Sequence, residues 1–167
     1  MDVQLINPFV IAIQRVFETM VHTKATIGTP RLRMDANPEH DVSGVIGFSG
    51  DAVGCVVLSF PMDVACRVAT AFAGTEMDQN HPDFTDAIGE LANMVAGNAK
   101  TEFSGMNISV SLPSVITGKG HTVAHPTQIP RIVIPCETDL GSVFIEAGLT
   151  LKNAPTPITA QTQGASV

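Results

Sequence analysis

The sequence predicts an α+β fold: an antiparallel-rich sheet with helices packed on one side and an internal helix-plus-three-strand pseudo-repeat. Three observations lead there. Apolar residues recur at three- and four-residue spacing in three segments, as helices with one buried face require. Runs near the C-terminal end place apolar residues at every second position, the period of half-buried strands. The order of elements, a helix followed by hairpin-linked strands, occurs twice.

The first helix opens at Asn7-Pro8, a cap residue followed by proline in the first turn. Phe9, Val10, Ile13, Val16, Phe17 and Met20 then form one apolar stripe that runs to His22. A strand is expected over 25–34, followed by a polar loop over 35–41 that contains Asn37-Pro38. Two strands, 42–48 and 52–60, are joined by Ser49-Gly50-Asp51, a connection short enough for a hairpin. Pro61 starts a second helix, buried through Val64, Val68, Ala71 and Phe72, with Gly74 as its C-cap.

The longest helix is expected over 82–103, with Asp83 or Thr85 capping its start and Gly105 ending it. Met106, Ile108, Val110 and Leu112 alternate with Asn107, Ser109 and Ser111, which predicts a strand with one buried face. Residues 117–120 form a turn, and 129–135 and 142–151 form two further strands. Val143, Ile145, Ala147 and Leu149 line one face of the last of these. Residues 1–152 thus form a single domain, and 153–167, without apolar period, are expected to be a flexible tail.

Length and composition narrow the function. A chain of 167 residues suits one domain with its own core, and an apolar content of 44% against 15% charged excludes disorder. No apolar run approaches the ~18 residues that span a bilayer, and no secretory signal is visible, so a cytoplasmic location and no membrane partner are expected. Cys55, Cys66 and Cys136 are odd in number and lack CxxC spacing, which points to buried free thiols. A net charge of −7, with neither Trp nor Tyr, argues against nucleic acid.

The chemistry concentrates on the long helix. On a wheel with Ile88 at zero, Phe84, Leu91, Val95 and Asn98 fall between about −20° and −80°, the core face, with Met94 at about −120°. Asp86, Glu90 and Asn93 fall at about 160°, 200° and 140°, a polar stripe roughly opposite. Gly97 continues the stripe and Gly89 borders it. A helical glycine costs about 1 kcal/mol relative to alanine, so two beside the acids leave room for a partner to approach. An acid and a carboxamide three residues apart project to one spot, where a carboxamide can orient a water and a carboxylate can pair with a cation. From pattern alone the plainer reading is favoured: acids early in a helix serve the dipole, and an exposed Asn is solvated.

Other candidates fall away. His121 and His125 are separated by about 13 Å in extended chain, too far to chelate one ion, so no metal site is expected. The glycines at 47, 50, 118 and 120 do not precede a helix as a phosphate loop would.

Asp86-x3-Glu90-x2-Asn93 on the long helix, followed by Pro113, resembles the CheX/CheC-type chemotaxis phosphatases. Asn7-Pro8-Phe9 with 16–20, and the hairpin ending in Ser59-Phe60-Pro61, are similar to the CheX branch, and the resemblance covers residues 5–151. It implies a pseudo-two-fold αβ fold and hydrolysis of the aspartyl phosphate of a CheY-like response regulator. Under it, Asn93 orients the attacking water, Glu90 pairs with the regulator's lysine, and Asp86, Gly89 and Gly97 serve docking. Pro113 is structural, shaping the strand end beside the helix. The chain needs no cofactor of its own, because the magnesium ion belongs to the regulator. A second E-x-x-N is absent at Glu18-Thr19-Met20-Val21, so one site is expected. The CheX branch suggests a homodimer, which nothing in the pattern requires. The alternative is a non-catalytic adaptor that docks a receiver domain through the same helix.

Overall fold

A computed structural model describes residues 3–33, 40–124 and 129–152; the Asn37-Pro38 loop, His125 and the tail from 153 lie outside them. In chain order the elements are α1 (Asn7–Val16), β1 (Thr26–Ile27), β2 (Arg31–Leu32), β3 (Val42–Gly50), β4 (Ala52–Phe60), α2 (Met62–Ala73) and α3 (Phe84–Glu102). β5 (Ile108–Val110), β6 (Ser114–Thr117), β7 (Ile132–Thr138) and β8 (Gly141–Leu151) complete the chain.

The first helix reaches His22 as expected, but its last turn, Phe17–Val21, widens to π geometry and closes on His22 with φ 59. Pro8 sits in the first turn, where its missing N–H is no loss. Asn7 does not act as the cap: it lies inside α1, Ile6 holds the cap position, and no side chain bonds there. The long helix likewise starts after Asp83 without a side-chain cap, and the His81 carbonyl accepts the Phe84 N–H. α2 ends as predicted on Gly74, with φ 71. At its other end, the Asp41 carboxylate accepts the Met62 N–H at 3.1 Å and closes the helix start across 21 residues of chain.

All strands pair antiparallel in one sheet of order β1-β7-β8-β4-β3-β5, with β2 also on β7 and β6 also on β3. About the central β4–β8 pair the sheet is symmetric. The β3–β4 and β7–β8 hairpins flank the centre, and each outer position holds a strand broken in two. Each repeat therefore lends its first strand to the other repeat's hairpin, which ties the two halves into one sheet. The breaks fall at Gly28-Thr29-Pro30 and Ser111-Leu112-Pro113, because proline cannot donate to a ladder. The strand expected over 25–34 is accordingly two pieces, and β6 is a strand where only the turn after it was expected.

The break overturns one expectation about burial. Of the four alternating apolar residues at 106–112, only Ile108 is buried; Val110 is half-buried, and Met106 and Leu112 are exposed. The register with β3 runs from Gly50↔Ile108 to Phe48↔Val110 and resumes only at Val45↔Ser114, so across the interruption the pleat no longer directs Leu112 inward.

The helices cover one face of the sheet. Phe9, Ile13, Phe17, Phe84, Ile88 and Leu91 form a continuous core with Ile46, Leu58, Phe60, Ile134 and Ile145. Phe9 meets Phe48 and Phe103 edge-on, with ring centroids 5.8 and 6.1 Å apart. α3 crosses β3 at Gly44, where a Cβ would lie 2.6 Å from the Cβ of Ala92. Only glycine lets the helix lie this close to the sheet.

Glu146, between the core-facing Ile145 and Ala147, points to the other face and is buried there. Arg33 and Arg131 both reach its carboxylate, Arg131 at 2.6 Å. On the same face Ser43 and Ser59 share a hydrogen bond of 2.9 Å, and the His121 ring reaches the Ser43 hydroxyl at 2.7 Å. His121 is thus occupied in packing the chain that follows β6. Cys66 and Cys136 are free thiols. Cys136 is buried, whereas Cys55 and Cys66 are only half-buried, so the expectation of three core thiols holds for one. Burial, then the nearby Glu137, pushes Cys136 up to about 12; burial, then Glu146, pushes Cys55 up to about 11.

Candidate functional site

α3 exposes its polar stripe because its other sides are used up. Phe84, Ile88, Leu91, Ala92, Val95, Ala96 and Ala99 are buried against the sheet and the other helices. Asn98, placed on the core face by the wheel, is half-buried, and its amide donates to the Met94 carbonyl at 2.9 Å. Asp86 and Glu90 are exposed and Asn93 is half-buried. They follow one another along about 10 Å of helix at 1.5 Å per residue. Among the described residues no hydrogen bond or ion pair engages any of the three side chains. An acid and a carboxamide held on a rigid helix without internal partners keep their full bonding capacity for an incoming group.

A groove of about 590 Å³ lies along the stripe, lined by Thr85, Asp86, Gly89, Glu90, Pro113 and Val115. Its far wall comes from the segment after β5 and from β6. Gly89 makes that wall possible. A Cβ there would meet Val115 Cγ2 at 3.3 Å and Pro113 Cγ at 3.5 Å, so the absent side chain is replaced by this chain's own strand. The space that sequence reasoning reserved for a partner beside Gly89 is filled from within. Gly97 differs: it is half-buried, and a Cβ there would have no atom within 4 Å. It stays open to an approaching surface but does not line the groove, and Asn93 stands just past the groove's end.

The structure thus brings Asp86, Gly89, Glu90 and Pro113 together, with Asn93 one turn beyond and Gly97 two turns from Glu90. Sequence reasoning missed Thr85 and Val115. Thr85 falls at about 60° on the same wheel, beside Gly89 at about 100°, so the helical period contained the signal. Val115 had none, because its place depends on β6 pairing with β3, where Gly44 faces Val115 and Val45 faces Ser114. Among the described residues no cluster of three or more His, Cys, Asp or Glu side chains could hold a metal ion. No helix among them is long and apolar enough to cross a membrane.

Comparison with known proteins bears on this geometry. The model of the family "Chemotaxis phosphatase CheX" matches residues 42–137, which include α3, its stripe and the groove wall. The CheY-P phosphatase CheX of Thermotoga maritima is 28% identical over 122 residues, covering 71% of this chain and 79% of that one. The crystal structure of a chemotaxis protein CheX from Desulfovibrio desulfuricans superposes with a TM-score of 0.80 at 34% identity, covering 89% of this chain and 99% of that one. A CheX–CheY–BeF3–Mg complex from Borrelia burgdorferi shares the fold, with a TM-score of 0.72 at 20% identity, covering 86% and 96%. With more than half its length matched by the family model, the chain belongs to the CheX family of chemotaxis phosphatases, and its fold superposes on a solved CheX structure.

Proposed function

We propose that this protein hydrolyses the aspartyl phosphate of a CheY-like response regulator, using the α3 stripe as one half of a shared active site. The observation that carries the reading is Glu90 and Asn93 on one helix face, without internal partners, beside a groove of about 590 Å³. The relatives' names add the substrate class: a CheY-P phosphatase in Thermotoga maritima and a CheX–CheY complex in Borrelia burgdorferi.

In this reading the Asn93 carboxamide oxygen accepts a hydrogen of a water and aims its oxygen at phosphorus, in line with the aspartyl oxygen. The water oxygen bonds to phosphorus and the bond from phosphorus to the aspartyl oxygen breaks. The regulator's carboxylate and inorganic phosphate leave, with both of the water's protons on phosphate. Glu90 pairs with a lysine of the regulator and fixes the register of docking. Asp86 adds a second negative charge on the approach, and Pro113, packed over Gly89, holds the groove wall at its distance from the helix. The magnesium ion of this chemistry is the regulator's own; it screens phosphate charge there. No residue of this chain is assigned to hold it.

The test is release of phosphate from phosphorylated receiver domains, with magnesium, by the wild type and by Asn93→Ala. Asn93 is half-buried and unbonded, so the change should move stability by no more than about 0.5 kcal/mol while lowering turnover at least ~100-fold. A wild-type protein that accelerates phosphate loss from none of its cognate receivers would sink the proposal. Equal turnover in the variant would remove Asn93 from the chemistry.

A further inference from the structure

Leu112 is 88% exposed, well beyond Leu32 at 53% and Ile11 at 39%, the next most exposed large apolar side chains among the described residues. A single exposed leucine is ordinary on a protein surface. This one is set apart by how it is held and by what stands beside it.

The backbone on both sides of Leu112 is fixed. The Ser111 N–H donates to the Gly47 carbonyl at 2.9 Å, and the Gly47 N–H donates to the Ser111 hydroxyl, also at 2.9 Å. That hydroxyl in turn donates to the Leu112 carbonyl at 2.8 Å. On the other side Pro113 has a fixed φ and packs over Gly89. Leu112 is therefore presented by a braced corner, where β5 leaves the sheet and β6 re-enters it. Its neighbour Pro113 lines the same groove as Asp86 and Glu90. An exposed apolar side chain next in the chain to a wall residue of an acidic groove suits an interface anchor: burial supplies affinity while the nearby charges set orientation.

We infer that Leu112 is the apolar anchor by which this chain docks the receiver domain of its phosphorylated response regulator, inserting beside the surface that meets Glu90 and Asn93. The inference rests on the proposed phosphatase reading, and it assigns binding to a residue that takes no part in the chemistry. The occupant is the same receiver, because one docking event must cover both Glu90 and a side chain adjoining the groove's own Pro113.

The experiment uses the full chain with a cognate receiver domain. Affinity is measured with the beryllofluoride-activated receiver, and KM and kcat with the phosphorylated one, for the wild type, Leu112→Ser, Leu112→Met and Leu32→Ser. Leu32 lies on β2 at the opposite edge of the sheet and serves as the matched surface control. Leu112→Ser should raise Kd and KM about ten-fold or more with kcat within two-fold of wild type. Leu112→Met should restore most of the affinity, Leu32→Ser should change neither constant, and all variants should melt together. If Leu112→Ser keeps Kd and KM within two-fold while Asn93→Ala still loses turnover, the anchor is wrong and the phosphatase reading stands. A fall in kcat alone, or equal losses in the Leu32 control, also overturns it. A wild type that neither binds nor dephosphorylates any cognate receiver removes both readings at once.

Discussion

Replacing Gly44 by alanine probes the contact that sets the height of the functional helix above the sheet. The new methyl would lie 2.6 Å from Ala92 Cβ and 3.5 Å from the Ile88 carbonyl oxygen, both on the rigid middle of α3. Carbon atoms prefer about 3.5–4.0 Å, so helix and strand must part by roughly 1 Å. Overpacking of this kind costs about 1–3 kcal/mol, offset by about 0.5–1 kcal/mol from replacing a strand glycine. A net loss of about 1–2 kcal/mol lowers Tm by roughly 2–8 °C in a chain of this size. Ala92→Gly alone removes a buried methyl and a good helix former, costing about 2 kcal/mol. In the double variant the methyl added on β3 occupies the space that the Ala92 side chain vacates, so its loss should be at least ~1 kcal/mol smaller than the sum of the two singles. Urea unfolding followed by far-ultraviolet circular dichroism suits the measurement, since the chain has no Trp or Tyr for fluorescence. Phosphatase turnover should fall further than stability in Gly44→Ala, because Asn93 adjoins the displaced residue and about 1 Å of misplacement can cost ~100-fold. The double variant should recover it. Strictly additive stabilities, or an unchanged Gly44→Ala midpoint, would refute the close-crossing argument.

Two further outcomes follow from the opposite face and from the thiols. Glu146→Ala leaves the guanidinium groups of Arg33 and Arg131 without their buried carboxylate and should cost about 3–5 kcal/mol, read as a Tm lower by at least ~6 °C; a shift under ~2 °C would contradict it. Burial holds Cys136 near 12 and Cys55 near 11, so in native protein at about pH 8 a maleimide should leave Cys136 unmodified and label Cys55 slowly, as peptide mass spectrometry reports. These thiols hold their protons more tightly folded than unfolded. The stability they contribute is full below the ordinary thiol value of 9.0 and is lost as pH rises from there through about 11 and 12. Melting temperatures that stay level between about pH 9 and 11 would rule the linkage out.

Much of this was legible in the sequence because it is local. The apolar period of 3.6 located α1, α2 and α3, and the same wheel that buried Ile88 and Leu91 left Asp86, Glu90 and Asn93 on one free face. Alternation marked 143–149 correctly, since β8 pairs along its whole length. It failed at 106–112, where the periodic signal continues but the ladder does not: the break at Ser111-Leu112-Pro113 ends pairing after three residues. Cap residues misled for a related reason. Asn7 and Asp83 are good caps in isolation, yet at the starts of α1 and α3 the backbone carbonyls of Ile6 and His81 take the first N–H groups, and only α2 is closed by an acid, the distant Asp41.

The sequence by itself therefore determined the helices, the strand-rich halves and the exposed acid-and-carboxamide face, since each depends on residues within one or two turns of one another. Only the tertiary structure decided the swap of first strands between the repeats, the burial of Glu146 under two arginines, and the groove itself. Its wall, Pro113 and Val115, stands more than twenty residues from Gly89 and is brought there by β6 pairing with β3. That pairing is a choice among strand edges with similar local patterns, and it is settled by what the whole sheet can bury.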